Sequence, residues 1–85
     1  MESYRIVVKK SVSKDLKKIP KKDVRQILEA IESLVQDPRP PQSKKLSGQE
    51  RYRLRQGNYR ILYSIEDEIL VVQVVKVGNR RDVYR

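Results

Sequence analysis

Arg51-Tyr52-Arg53-Leu54-Arg55-Gln56-Gly57-Asn58-Tyr59-Arg60-Ile61-Leu62-Tyr63-Ser64-Ile65 decides the fold. In its first five residues, Tyr52 and Leu54 alternate with Arg51, Arg53 and Arg55. A strand with this pattern shows apolar groups to one side and guanidinium groups to the other. Gln56-Gly57-Asn58 supplies turn residues, after which Tyr59, Ile61, Tyr63 and Ile65 alternate with Arg60, Leu62 and Ser64. Two strands of matching parity about a tight turn predict a β-hairpin. The parity of Arg60 puts it opposite Tyr59, Ile61 and Tyr63, on the arginine face.

After the hairpin, Glu66-Asp67-Glu68 reads as a polar turn. Three successive acids in a turn do not converge on one ion, so no metal site is drawn there. Ile69 to Val77 is then almost unbroken aliphatic sequence, as expected of a central strand covered on both faces. Before the hairpin, Tyr4 to Val8 reads as a first strand. Ser11 is placed to cap a helix with Val12, Leu16 and Ile19 on one side, ended by Pro20. A second helix is predicted from about Lys21 to Gln36, where Val24, Ile27, Leu28, Ile31, Leu34 and Val35 form one stripe. Asp37-Pro38 and Pro40-Pro41 stop it. The fold class is therefore α+β, in the order β-α-α-β-β-β. A helical hairpin is expected on one face of a small, mainly antiparallel twisted sheet, with residues 1–85 forming one domain.

Composition narrows the chemistry. The chain has neither cysteine nor histidine. Disulfides, the usual zinc ligand sets and His-paired nucleophiles are thereby excluded, leaving Arg, Lys, Tyr and carboxylates. Twenty Lys plus Arg against eleven Asp plus Glu give a net charge of +9, which favours a polyanionic partner. No apolar run is long enough to cross a bilayer, so a cytoplasmic protein without a membrane partner is expected.

The two cations are segregated. Lys9, Lys10, Lys14, Lys17, Lys18, Lys21 and Lys22 surround the first helix, offset within that stretch only by Asp15. Seven of the ten arginines lie from Arg51 onward. Lysine is a hydrated point charge suited to loose attraction, whereas arginine's planar fork suits an oriented grip on phosphate. A docking surface plus a separate phosphate site fits this division; a solvated, solubilising face is the plainer reading of any single lysine. Tyr52, Tyr59 and Tyr63 share parity with Leu54 and Ile61 and are expected to pack rather than stack on bases.

Lys45-Leu46-Ser47-Gly48, Tyr52-Arg53-Leu54-Arg55, Gly57-Asn58-Tyr59-Arg60-Ile61-Leu62-Tyr63, Val77-Gly78-Asn79-Arg80-Arg81 and Val83-Tyr84 occur in that order. This ordered set resembles the RelE branch of the RelE/ParE superfamily. The resemblance implies a toxin of a type II toxin-antitoxin pair that cleaves mRNA in the ribosomal A site. It also implies an acidic, RelB-like antitoxin, with a single toxin copy inside a hetero-oligomer. By position it implies a catalytic set of Arg53, Arg55, Arg60, Arg80 and Tyr84, with no cofactor and no metal. Contacts to RNA and ribosome are expected from the seven lysines above together with Lys44, Lys45, Arg51 and Arg81. The best-known members carry lysine where Arg53 and Arg55 stand, and arginine effectively cannot act as a base. The proton is left to Tyr84, if neighbouring cations lower its pKa, or catalysis rests on positioning and electrostatics. Two other readings stand beside this one: a ParE-type toxin of the same fold that inhibits DNA gyrase through protein contacts, and a non-catalytic RNA-binding module.

Overall fold

Strand β3 (Tyr52–Gln56) and strand β4 (Tyr59–Glu66) form the expected hairpin in the computed structural model, which describes residues 3–48 and 50–79. Its register pairs Tyr52 with Tyr63, Leu54 with Ile61 and Arg55 with Arg60. Gly57, at φ +59°, takes the first central position of the two-residue turn, a conformation that a side chain disfavours. Around this hairpin the chain adds β1 (Arg5–Val8), α1 (Lys10–Lys17), α2 (Lys21–Ser33), β2 (Ser43–Lys45) and β5 (Val71–Asn79). The sheet order is β1-β5-β4-β3-β2. Only the β1–β5 pair is parallel, and the other three are antiparallel.

Both helices lie on one face of the sheet. Val12 of α1 and Ile27, Ile31 and Leu34 of the α2 segment meet Leu54, Ile61, Tyr63, Val72, Val74 and Val77 in a single buried cluster. The α+β class and the placement of the helices agree with the sequence expectation. Burial of this apolar stripe, at about 25 cal/mol per Å², is the main force holding helices to sheet.

Several local expectations are corrected. Ser11 does not cap α1; it lies inside the helix, and Lys9 occupies the cap position without a side-chain bond. The Lys9 N–H donates to the Val74 carbonyl at 3.0 Å, so strand pairing fixes where the helix begins. Helix α1 ends at Lys17, and Pro20 instead precedes the first turn of α2. There its missing N–H is no loss. Helix α2 stops at Ser33 rather than Gln36, because the Tyr4 N–H takes the Val35 carbonyl at 2.8 Å and draws the chain toward β1. Leu28 is 48% exposed. It is rotated about 100° from Ile27 and so leaves the sheet-facing line.

Strand β2 was not expected, because Ser43-Lys44-Lys45 carries no strand-forming residues; pairing with β3 alone holds it extended. Strand β5 runs two residues later than the apolar run suggests. Ile69 lies in a 3-10 turn, 62% exposed, and Leu70 adopts φ +53°. The helices cover β5 on one face only. On its other face Val75 packs with Leu62 and Leu46 in a small second cluster.

Candidate nucleic-acid interface

The helix-free face of the sheet carries the arginines, and strand register decides which of them meet. Lys44, Arg53, Leu62 and Lys76 form one row across β2, β3, β4 and β5. Arg55, Arg60 and Gly78 form the next. Directly opposed residues on antiparallel strands have Cα atoms about 4.5–5.5 Å apart, so Arg55 and Arg60 are close like charges. Arg60 is buried, at 3% exposure, whereas Arg53 is half-buried and Arg55 exposed. The three therefore grade from the base of the surface to its rim. Such a gathering of cations is stabilised by an anion, and planar guanidinium groups match phosphate oxygens in pairs.

A β-bulge brings in a residue that sequence parity had missed. Leu62 pairs with Lys76 but Tyr63 pairs with Val74, so Val75 is the extra residue. Val75 and Lys76 consequently both face the helix-free side, in line with the effect of a bulge on side-chain direction. An unbroken aliphatic run gives no warning of this. The result is a short apolar strip of Leu46, Leu62 and Val75 flanked by Arg53 and Lys76.

Three carboxylates among the described residues are engaged away from this face. Asp67 takes two bonds from the Arg39 guanidinium, at 3.1 and 2.9 Å, and a third from the Tyr4 hydroxyl at 2.7 Å. The Arg39 bonds, with help from Tyr4, hold its carboxyl at about 2, below the ordinary 3.8. Asp23 accepts from the Tyr59 hydroxyl at 2.9 Å, and Glu50 lies 3.5 Å from Lys45. Among the described residues no three acids gather to hold a metal ion.

Tyr52, Tyr59 and Tyr63 are structural, as expected. Tyr63 is fully buried and donates to the Pro38 carbonyl at 2.7 Å; burial raises its pKa. The Asp23 bond raises that of Tyr59. Tyr52 stacks on Tyr63 at 5.8 Å and accepts from Arg39 Nε at 3.0 Å. All three share the helix-covered face with the core, so none of these phenols reaches the arginines.

The remaining sequence candidates divide by side. Lys9, Lys10, Lys14, Lys17, Lys18, Lys21 and Lys22 are all exposed, on or beside α1 and the start of α2, across the sheet from Arg60. The lysine-rich surface and the arginine cluster are thus two surfaces rather than one. Lys44 joins the arginine face, whereas Lys45 pairs with Tyr52 and points the other way. Arg51 is exposed just before β3, its carbonyl accepting from the Leu46 N–H. Arg80, Arg81 and Tyr84 lie outside the described residues.

Comparison with known proteins agrees with this architecture. The family described as "ParE toxin of type II toxin-antitoxin system, parDE" matches residues 6–84. Toxin RelG of Mycobacterium tuberculosis is 31% identical, covering 96% of this chain and 97% of its own. The RelE-RelB complex of Pyrococcus horikoshii superposes with a TM-score of 0.82 at 32% identity, covering 94% of this chain and 98% of that one. The RelBE2 toxin-antitoxin complex of M. tuberculosis also gives 0.82, at 27% identity over 92% and 99%. With nearly end-to-end matches in both sequence and fold, the chain belongs to the RelE/ParE superfamily of type II toxin-antitoxin toxins.

Proposed function

We propose that this toxin is a metal-independent endoribonuclease of the RelE kind, cutting translated mRNA in the ribosomal A site. The observation that carries the reading is the Arg53–Arg55–Arg60 cluster on adjacent strands of one sheet face. In the reaction, a 2′-hydroxyl of the message attacks the neighbouring phosphorus in line. A new O2′–P bond forms as the P–O5′ bond breaks, leaving a cyclic phosphate and a 5′-hydroxyl. Charge builds on the non-bridging oxygens, where pre-positioned guanidinium groups stabilise it. Arg60, held by burial, is the principal clamp, and Arg53 and Arg55 neutralise the flanking phosphates. Arg80 steadies the leaving side and Tyr84 orients the substrate or carries its proton. The lysines of α1 give the opposite side of the molecule a generic attraction for ribosomal RNA.

A RelB-like antitoxin is the expected partner, since solved relatives are RelE-RelB complexes. Acidic residues on an amphipathic segment would complement the +9 charge of the toxin. The rival reading, gyrase inhibition, draws on the ParE description of the matching family. Inducing the chain alone in cells and mapping transcript ends separates the two. New ends inside translated codons, lost on Arg60→Ala, are the expected result. DNA damage without such ends would refute the nuclease reading in favour of the gyrase poison.

A further inference from the structure

The bulge in β5 adds to the arginine face a side chain of different chemistry. With Val75 as the extra residue, Lys76 stands opposite Leu62 and alternates with Val77, which is buried in the helix-covered core. Its side chain therefore leaves the sheet on the helix-free side, where the residue is exposed. Leu62 and Val75, 8% and 9% exposed, give the aliphatic stem an apolar wall and leave the ammonium to solvent. No ion pair holds Lys76 among the described residues. By register Glu66, an acid on the same face of β4, lies four residues beyond Leu62, about 13 Å along the strand.

Lys76 and Arg60 are diagonal neighbours. Arg60 pairs with Gly78, two residues after Lys76, and glycine puts no side chain beside it. Diagonal neighbours on adjacent strands are about 7–8 Å apart, within reach of two long side chains. Arg60 thus has Arg55 directly across on β3 and Lys76 diagonally placed on β5. Lys44, also on this face, lies on β2, two strands from Arg60. The rows of cations run across the strands, so an RNA backbone that follows them passes from β3 over β4 to β5. In-line displacement puts the entering and leaving oxygens on opposite sides of phosphorus. With phosphorus over Arg60, one of these oxygens faces β3 and the other β5. On the β3 side stand guanidinium groups, which effectively never release a proton, and on the β5 side stands an ammonium, which can.

We propose that Lys76 is a catalytic residue of the toxin, the general acid that protonates the departing 5′-oxygen. This rests on the nuclease reading above. As the 2′-oxygen bonds to phosphorus, the P–O5′ bond breaks and its electron pair stays on O5′. A proton of the Lys76 ammonium joins it there, and the 5′-hydroxyl leaves. The proton of the attacking 2′-hydroxyl passes to water, and water returns one to the Lys76 amine.

The test uses the full chain at saturating concentration on ribosomes programmed with two messages. One is natural; the other carries sulfur in place of the bridging 5′-oxygen at the linkage the wild type cuts. A thiolate departs without being protonated, so the second message needs no general acid. Lys76 is exposed, so its substitution leaves the core intact. Lys76→Ala is expected to slow cleavage of the natural message by about 10²-fold, and of the sulfur message by less than about threefold. Lys76→Arg keeps the charge without a transferable proton and should show the same pattern. Equal slowing on both messages, the behaviour of a phosphate clamp such as Arg60, would overturn the proposal. So would an undiminished rate of either variant on the natural message beside an active wild type. A wild type that cuts neither message would instead overturn the nuclease reading.

Discussion

The arginine face makes a quantitative demand on salt dependence. Lys44, Arg53, Arg55, Arg60 and Lys76 share the helix-free side of the sheet, five cations in two adjoining rows. Each phosphate neutralised on a single strand contributes a slope of about −0.7 in log K against log[salt]. Five contacts therefore give about −3.5, a loss of roughly 10²-fold in affinity between about 50 and about 200 mM salt. The lysines around α1 lie beyond the sheet, and the shortest dimension of the molecule is 24 Å. That is more than two Debye lengths at about 0.1 M, so they add little to a strand held on the far side. Fluorescence anisotropy with a short RNA whose 2′-hydroxyls are all methylated, and so cannot attack phosphorus, reads binding without cleavage. Arg55→Gln should flatten the slope by about 0.7, while Lys14→Gln with Lys17→Gln leaves it unchanged. An equal or larger flattening by the lysine pair would show that the strand lies over α1, and the assignment of faces would fall.

Three further outcomes follow from particular contacts. Arg60→Met retains a long apolar side chain in a buried position but removes the cation, so the chain should fold while cleavage falls by about 10²–10³-fold; a folded variant that cuts at the wild-type rate contradicts the clamp. The carboxyl of Asp67 is held at about 2 against an ordinary 3.8, so its contribution to stability is complete above 3.8 and is lost as pH falls through about 2. Asp67→Asn should accordingly remove part of the acid destabilisation between those values, and an unchanged profile of melting temperature against pH would refute the assignment. Tyr63→Phe leaves the Pro38 carbonyl without its buried donor and should cost about 1–2 kcal/mol. For a domain of this size that lowers the melting temperature by roughly 4–8 °C per kcal/mol, and no change by calorimetry would contradict it.

What could be read in advance, and what could not, has a physical pattern. Period-two alternation around Gln56-Gly57-Asn58 fixed both the hairpin and the common face of Arg53, Arg55 and Arg60, because a slip of one residue would bury guanidinium groups and expose Tyr63 and Ile61. Lys76 escaped the same logic, since a bulge at Val75 changes parity without leaving a mark in an aliphatic run. Strand β2 and the early start of α1 depend on partners distant in sequence: the β3 ladder and the Val74 carbonyl. Asp15 looked like a lone offset to lysine charge because its partner is a backbone N–H 62 residues away. Contacts of this kind follow from topology rather than from local propensity.

Fold alone does not separate the two activities that the RelE/ParE superfamily name brings to this chain, because the same scaffold serves both. The helix-covered core of Val12, Ile27, Leu54, Ile61 and Tyr63 would stabilise either toxin equally well. The difference must lie in side chains that the core does not require. Opposing Arg55 to Arg60 on neighbouring strands brings two guanidinium groups together on the helix-free face. A protein acting only through surface contacts with another protein does not require that pairing at the foot of its sheet. Under the proposed nuclease reading, a phosphodiester seated there meets both guanidinium groups at the moment negative charge develops, and this is the physical ground on which that reading is preferred.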